Sequence, residues 1–291
     1  MNGILNILKP PGMTSHDMVS AVRRLTGVRR TGHTGTLDPG AAGVLPICVG
    51  QATRVSEYVL EMDKTYRAEV TLGTATDTED VAGIITSEKP LPVINEEVIR
   101  AVMASFVGKR RQVPPMYSAV RINGEKLYEK ARRGETVKRD ARPITIYHMN
   151  FLRFEGRTIL FDVSCSRGTY IRTICRELAE ALGTVGHMSF LLRTQVGPFS
   201  LAHTYTLDEL NKFSQEGRLA QALLPLDFAL TLLAEVHVSA VDVGLLQNGV
   251  AIAWPDTQAE GTKIRVYGPT NSLVAIANVI DGYIRPHKVF L

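Results

Sequence analysis

Residues 32–45 read GHTGTLDPGAAGVL, and this is the stretch that most restricts how the 291-residue chain can fold. Glycines at 32, 35, 40 and 43 and one proline surround a single acid, Asp38, directly ahead of an apolar run. Proline presets φ for the second position of a turn and glycine supplies the positive φ of a third position, so Asp38-Pro39-Gly40 predicts a type II turn. VLPICVG then continues as a mostly buried strand. Four glycines exceed the needs of one turn, and glycine lets another backbone or a ligand approach closely. The string therefore suits either a plain corner or a carboxylate presented to something bulky. It does not suit a phosphate cradle, because GxxxxGK[ST] is missing and the loop centres on an acid.

The remaining punctuation predicts a mixed chain. Residues 4–8 read as a short strand; Ser15 reads as a helix N-cap, Val19, Val22 and Leu25 as an apolar stripe, and Gly27 as the stop. TYRAEVTL alternates with Tyr66, Ala68, Val70 and Leu72 on one face, and the acidic TATDTEDVAG after it reads as a loop. Asn95 with Glu96 and Glu97 starts a helix expected to reach Gly108. A basic segment follows, with a Pro-Pro break, a hairpin-like Asn-Gly and a short helix ending at Gly134. ITIYHMNFLRF and TILFDVSC read as paired strands, and TYIRTICRELAEALG as a helix with Ile171, Ile174, Cys175, Leu178 and Leu182 inward. Thr206 and Glu209 form a capping-box pattern. From about residue 234 the texture changes to a short helix (VDVGLLQNG) and short strands at IRVYG, LVAIANVI and KVFL. The expected class is α+β: a largely antiparallel sheet with flanking helices, and a small β-rich C-terminal module.

Composition narrows the function classes. Hydrophobic residues are 45% and charged residues 21%, which is globular. No apolar run approaches the roughly 20 residues of a membrane helix, and the N-terminus lacks the pattern of a signal peptide. Three cysteines, Cys48, Cys165 and Cys175, sit in apolar surroundings with no CxxC, as expected of reduced, buried thiols in a cytoplasmic protein. The histidines show no metal-site spacing. Net charge is +4, but its placement says more. Residues 100–142 carry twelve Lys/Arg against Glu125, Glu129, Glu135 and Asp140, whereas residues 206–262 carry eight acids against Lys212 and Arg218. A basic middle beside an acidic tail region fits a polyanion bound on one side, or else a solvated helical face.

Two further segments carry chemistry. In DKTYRAEV, Tyr66 opens a strand; its ring suits the core, or stacking on an unpaired base. In CSRGTYIRTICREL, Arg172 lies in the first turn of a helix, where the dipole disfavours a cation, so an anionic partner is expected. A carboxylate in a cleft would serve, and Asp38 is such a carboxylate.

Taken together, NILKPPGMTS, GHTGTLDPGAAGVLP, KTYRAEV, PPMYSAVRINGEKLYEKARRG, SRGTYIRT and LLRTQVGPF resemble, in order and spacing, the TruB-type tRNA pseudouridine-55 synthases. The resemblance covers essentially the whole chain. It implies a pseudouridine synthase fold over residues 1–233, an RNA-gripping insertion at about 84–142, and a PUA-like RNA-binding domain over 234–291. It implies Asp38 as nucleophile, Tyr66 as the tyrosine that stacks on the target base and moves a proton, and Arg172 as the partner of the carboxylate. It places His33, Tyr170 and Leu191 at the substrate and Lys9, Lys64, Arg110, Arg111, Arg132 and Arg133 on RNA. The implied substrate is the T-arm of tRNA, acted on by a monomer in the cytoplasm, with no membrane, metal or cofactor, since isomerisation involves no net redox change or hydrolysis.

Asp38 would attack either the uracil ring or the sugar. Two rival readings stand beside this one. A non-catalytic RNA-binding or RNA-folding factor would use the same basic face, but binding alone needs no carboxylate beside phosphates. A glycoside hydrolase would need a second acid, for which Asp77 and Asp80 are the candidates.

Overall fold

The computed structural model describes residues 1–254 and 260–290. In the first third of the chain the elements are β1 (Gly3–Lys9), α1 (Ser15–Thr26), β2 (Thr31–His33), β3 (Ala42–Val49), α2 (Ser56–Glu61), β4 (Lys64–Leu72), β5 (Thr74–Thr76), β6 (Ile85–Glu88) and α3 (Glu96–Ala104). The middle contains β7 (Gly108–Gln112), β8 (Arg121–Ile122), β9 (Glu125–Lys126), α4 (Leu127–Arg132), β10 (Arg142–Glu155), β11 (Thr158–Cys165), α5 (Ile171–Ala181), β12 (Gly186–Val196) and β13 (Phe199–Ser200). Then come α6 (Leu207–Gln215), β14 (Leu223–Leu224), β15 (Ala234–His237), α7 (Ala240–Gln247), β16 (Ile252–Ala253), β17 (Lys263–Tyr267), β18 (Leu273–Ile280) and β19 (Tyr283–Val289).

The central sheet runs β14-β1-β3-β12-β4-β11-β10-β7, with β2 added on β3 and β13 on β12. Its pairings are antiparallel except one: β12 meets β3 in parallel, through Leu192↔Ala42 and Arg193↔Gly43. That short parallel seam joins the N-terminal strands to the β4-β11-β10 meander. The period-2 pattern of β4 buries Tyr66, Ala68, Val70 and Leu72 as expected. They pack against α5, whose Ile171, Ile174, Cys175, Leu178 and Leu182 are all buried, and against Ile99 and Met103 of α3. Truncating Phe161, fully buried in this layer, to alanine would cost about 3–5 kcal/mol.

Local rules held at most helix ends and failed at a few for identifiable reasons. Thr14, not Ser15, caps α1: Thr14 and Asp17 form a capping box, which frees the Ser15 hydroxyl for another task. Gly27 ends α1 in the left-handed region, and the Thr206/Glu209 box starts α6. Helix α3 begins at the Asn95 cap but stops at Ala104, short of Gly108. The Ser105 hydroxyl takes the Val102 carbonyl, and Gly108, at φ +113°, opens β7 instead. The basic run Lys109–Arg111 is therefore an edge strand of the central sheet, paired with β10, rather than a helix tail. A charged edge also guards a sheet against pairing with other chains. The acidic segment after β4 is a loop only beyond Thr76, because Thr74–Thr76 pairs with β6.

Residues 234 onward build a second sheet, ordered β15-β17-β18-β19-β16, with α7 against it. Its last strand begins at Tyr283, earlier than KVFL suggested, and Leu291 lies outside the described residues. Ile276 and Phe290 of this sheet share a core with Ile4, Val44 and Phe199 of the central body. Arg54 lies over the Phe290 ring and donates to the Val289 carbonyl, while Lys288 donates to the Arg54 carbonyl and pairs with Glu57. The two sheets are thus fastened by apolar packing and by reciprocal cation–carbonyl bonds.

Candidate active site

The parallel seam sets up the site. Arg193 on β12 is flanked across the sheet by Tyr66 on β4 and Gly43 on β3. A Cβ at Gly43 would lie 2.2 Å from the Arg193 carbonyl oxygen, and φ there is +121°, so only glycine lets the strands close. Closing them brings the loop that precedes β3 alongside the start of β4. Of the four loop glycines, this one is required by the chain's own backbone, while Gly32 and Gly40 face open space.

The turn at Asp38 is closed by the Ala41 amide donating to the Asp38 carbonyl at 3.0 Å. It is not the expected type II turn, because Gly40 does not adopt a positive φ. Tertiary contacts shape it instead. The Ser15 hydroxyl accepts from the Leu37 amide at 2.9 Å and donates to its carbonyl at 3.2 Å. Lys9, fully buried, donates to the carbonyls of Pro10, Pro39 and Ala41 at 2.9, 3.2 and 2.7 Å. Arg193, also buried, donates to the carbonyls of Val44 at 2.8 Å and Gly35 at 3.2 Å. Buried donors thus grip the backbone on both sides of Asp38.

Arg172 enters from α5. Tyr170 stands at the N-cap of that helix without capping it; the buried Gln112 carboxamide fixes its backbone, accepting from the Tyr170 amide at 2.8 Å and donating to its carbonyl at 3.1 Å. The Arg172 guanidinium, 5% exposed, donates from Nη2 to Asp38 Oδ1 at 3.4 Å and forms an ion pair, its Nε 3.0 Å from Asp38 Oδ2. It also donates to the carbonyls of Thr78 at 3.0 Å and Tyr117 at 2.8 Å, with Asp80 Oδ2 at 3.8 Å. The expected Asp38–Arg172 pair is present, in two-point geometry. Burial pushes the Asp38 carboxyl above the usual carboxylate range; Arg172 pulls it back and Asp80 pushes it further up. The ion pair therefore opposes protonation of Asp38 without outweighing burial.

Tyr66 is buried in the same apolar cluster as Leu37, Ala41, Ile171 and Leu191. Burial raises its phenol, against the pull of Arg193. Half-buried His33 accepts the Gly35 amide on Nδ1 at 3.3 Å, which leaves Nε2 as its free position, and burial lowers its pKa. Two assignments need correction. Lys9 and Lys64, expected on RNA, are buried and hold backbone carbonyls, Lys64 those of Leu60 and Met62. Burial brings each down to about 8; Lys9 spends all three ammonium protons on carbonyls, and Lys64 two. Among the insertion arginines, Arg133 is ion-paired to Glu125 and Glu135, and Arg110 lies over Phe106 with Glu177 at 3.9 Å. Arg111 and Arg132 are exposed with no carboxylate partner among the described residues.

Sequence reasoning missed Gln112, Arg193 and Tyr117 as parts of this site, and weighed Asp80 only as a glycosidase acid. Arg172 held the one available signal: a buried guanidinium needs more acceptors than a single carboxylate offers. The three cysteines are buried free thiols.

Comparison with known proteins agrees with the geometry. Residues 23–171 match the model of the TruB family pseudouridylate synthase N-terminal domain, and residues 172–231 that of the tRNA pseudouridylate synthase B C-terminal domain. Proteins named tRNA pseudouridine synthase B from Geobacillus thermodenitrificans and Bacillus subtilis are 46% and 42% identical, covering 100% of this chain and 100% and 98% of their own. Among solved structures, a Cbf5-Nop10-Gar1 complex gives a TM-score of 0.78 at 28% identity, covering 99% of this chain and 85% of that one. An H/ACA RNP bound to a substrate RNA containing 2′-deoxyuridine gives 0.78 at 27%, with the same coverage. With its sheet, its aspartate–arginine pair and these matches in agreement, the chain belongs to the TruB family of pseudouridylate synthases.

Proposed function

We propose that this chain converts uridine 55 in the T-arm of tRNA to pseudouridine. The observation that carries the reading is the two-point Asp38–Arg172 pair at the mouth of the Tyr66 cluster. In the reaction the bond from ribose C1′ to uracil N1 breaks, a bond from C1′ to C5 forms, C5 loses its proton and N1 gains one. Product and substrate are isomers.

The target nucleotide must first leave the folded arm, at a cost of about a few kcal/mol, recovered by stacking and phosphate contacts. Tyr66 and Leu191 would wall the pocket that receives it, with Tyr170 at its edge and the His33 Nε2 edge turned toward the RNA. Asp38, ionised, is the nucleophile, and Arg172 holds it at one orientation. The bound RNA would close over the site and keep out the water that would otherwise leave an abasic site. Tyr66→Phe keeps the ring and removes the hydroxyl. The expected result is near-parental tRNA affinity with turnover down about 10²-fold, the range of a lost proton-transfer group. Parental turnover would reduce Tyr66 to a stacking surface.

Residues 1–233 would form the catalytic body, 84–142 the RNA grip and 234–291 a PUA-like second RNA contact. The active form is proposed to be a monomer. Among the described residues no helix is long and apolar enough to cross a membrane, which is compatible with action in the cytoplasm. The two arginines with no carboxylate partner among the described residues carry the next expectation. Replacing Arg111 and Arg132 by glutamine should weaken tRNA binding and lower the slope of log affinity against log salt by about 0.7–0.9 per lost phosphate contact. An unchanged slope would leave that face solvated and the grip elsewhere.

Incubation with unmodified tRNA, followed by mapping of pseudouridine along the product, tests the whole reading. Modification at position 55 is the expected result; binding without modification would leave an RNA-folding role in its place.

A further inference from the structure

Four non-glycine residues among those described have φ in the left-handed region: Asn123, Asn271, Asp281 and Glu79. Asn and Asp tolerate that region through their short polar side chains, but Glu does not. At φ +61°, Glu79 has to be held from outside its own backbone. Both of its carboxylate oxygens are committed to α5: Oε2 accepts from the Thr173 hydroxyl at 2.7 Å and Oε1 from Arg176 Nε at 2.9 Å. On the other side its carbonyl accepts from the Met188 amide, and the Met188 carbonyl accepts from Val81, each at 3.0 Å. The turn is clipped between helix α5 and strand β12.

Its neighbours on each side face the catalytic arginine. The Thr78 carbonyl takes Arg172 Nη1, and the Asp80 carboxylate stands at Arg172 Nε. Asp80 is kept in place by the Thr78 hydroxyl at 2.7 Å and the Ala82 amide at 3.0 Å, both on its Oδ1. Residues 78 and 80 point at one guanidinium because residue 79 turns left-handed between them. The groups that hold residue 79, Thr173 and Arg176, follow Arg172 on the same helix.

We propose that Glu79 is a positioning residue for the isomerisation: gripped by Thr173 and Arg176, it holds the left-handed turn that delivers the Thr78 carbonyl and Asp80 to Arg172, and so fixes the arginine on Asp38. The inference rests on the reading of Asp38 and Arg172 given above. Glu79 touches no reacting atom and acts through its neighbours.

Three substitutions test it in the full chain, by single-turnover tritium release from tRNA carrying 5-tritiated uridine and by tRNA affinity. Glu79→Ala deletes both carboxylate bonds and keeps the Cβ that disfavours the turn; the rate should fall at least about tenfold, with affinity within about threefold of the parent. Glu79→Gly deletes the same bonds but adopts the turn freely, and should return the rate to within about threefold of the parent. Glu79→Gln keeps an acceptor for Thr173 and loses the ion pair, and should fall between them, which keeps the test open should the alanine variant not fold. A purely stabilising role would lower the melting temperature of the alanine and glycine variants alike and leave the rate per folded molecule unchanged. That outcome, a glycine variant as slow as alanine, or rate and affinity lost in step would each overturn the proposal. Asp38→Asn in the same assay separates the two levels. If it turns over, the reading of the site fails; if it is inactive while Glu79→Ala matches the parent, only the role of Glu79 fails.

Discussion

Asp38→Asn is expected to lose turnover by at least about 10⁴-fold while binding tRNA with near-parental affinity, as befits loss of the nucleophile alone. The amide is isosteric, so the Ala41→Asp38 turn bond and the side-chain grips of Ser15, Lys9 and Arg193 on the loop all remain. What disappears is the negative charge facing Arg172. In the proposed reading affinity would reside elsewhere, in phosphate contacts, stacking and the insertion, so rate and binding should separate. Tritium release at saturating tRNA reads the rate and filter binding reads the affinity. Substantial turnover by the asparagine variant would remove Asp38 from the chemistry.

The second large effect is expected at Arg172. Arg172→Lys keeps the charge but replaces a planar fork by a point charge, and the fork now serves the Asp38 carboxylate and two backbone carbonyls. A loss in rate of about 10²–10³-fold is expected from the misplaced carboxylate and the unpartnered carbonyls. The pH profile gives the diagnostic. In the proposed reaction Asp38 acts ionised, so turnover should fall as pH drops through its pKa, which burial has raised above the ordinary carboxylate value. Arg172 is the cation that pulls that pKa down, so weakening its hold moves the acid limb to higher pH. His33, whose pKa is lowered by burial and by Arg193 and His16, should not respond to this substitution. An acid limb that stays in place in Arg172→Lys would mean that a different group controls it.

Much of this architecture was legible from local patterns. The alternation of β4, the inward face of α5, the Gly27 stop and the Thr206 capping box all follow from period and cap chemistry, which depend on neighbours in the chain. The boundary of α3 was misread because Gly108 was taken for a helix stop when it begins a strand. Whether residues 109–111 continue as strand is decided by β10, about thirty residues away. The turn at Asp38 failed for the same kind of reason: its Pro-Gly sequence favours type II, but three buried side chains from α1, β1 and β12 hold its carbonyls in another geometry.

Lysines were the least legible residues. Lys9 and Lys64 lie in segments that also carry site residues, and a lysine beside an RNA-binding surface is ordinarily read as a phosphate contact. Only the folded chain buries each ammonium against carbonyls, where desolvation lowers its pKa. Asp80 shows the converse. Nothing in the TDTED string says which of its acids reaches the arginine; Asp80 stands at Arg172, while Asp77 accepts from the Tyr117 hydroxyl and the Ile84 amide.

The chain by itself therefore determined the family, the strand and helix periods and the expectation that Asp38 pairs with Arg172, because each rests on residue types in fixed local order. The tertiary structure alone decided how that pair is held: the Gly43–Arg193 seam, the buried cations on the Asp38 loop, and the left-handed Glu79 turn that completes the shell of Arg172. These depend on segments far apart in the chain satisfying one another's buried polar groups, and that requirement appears only once water has been excluded.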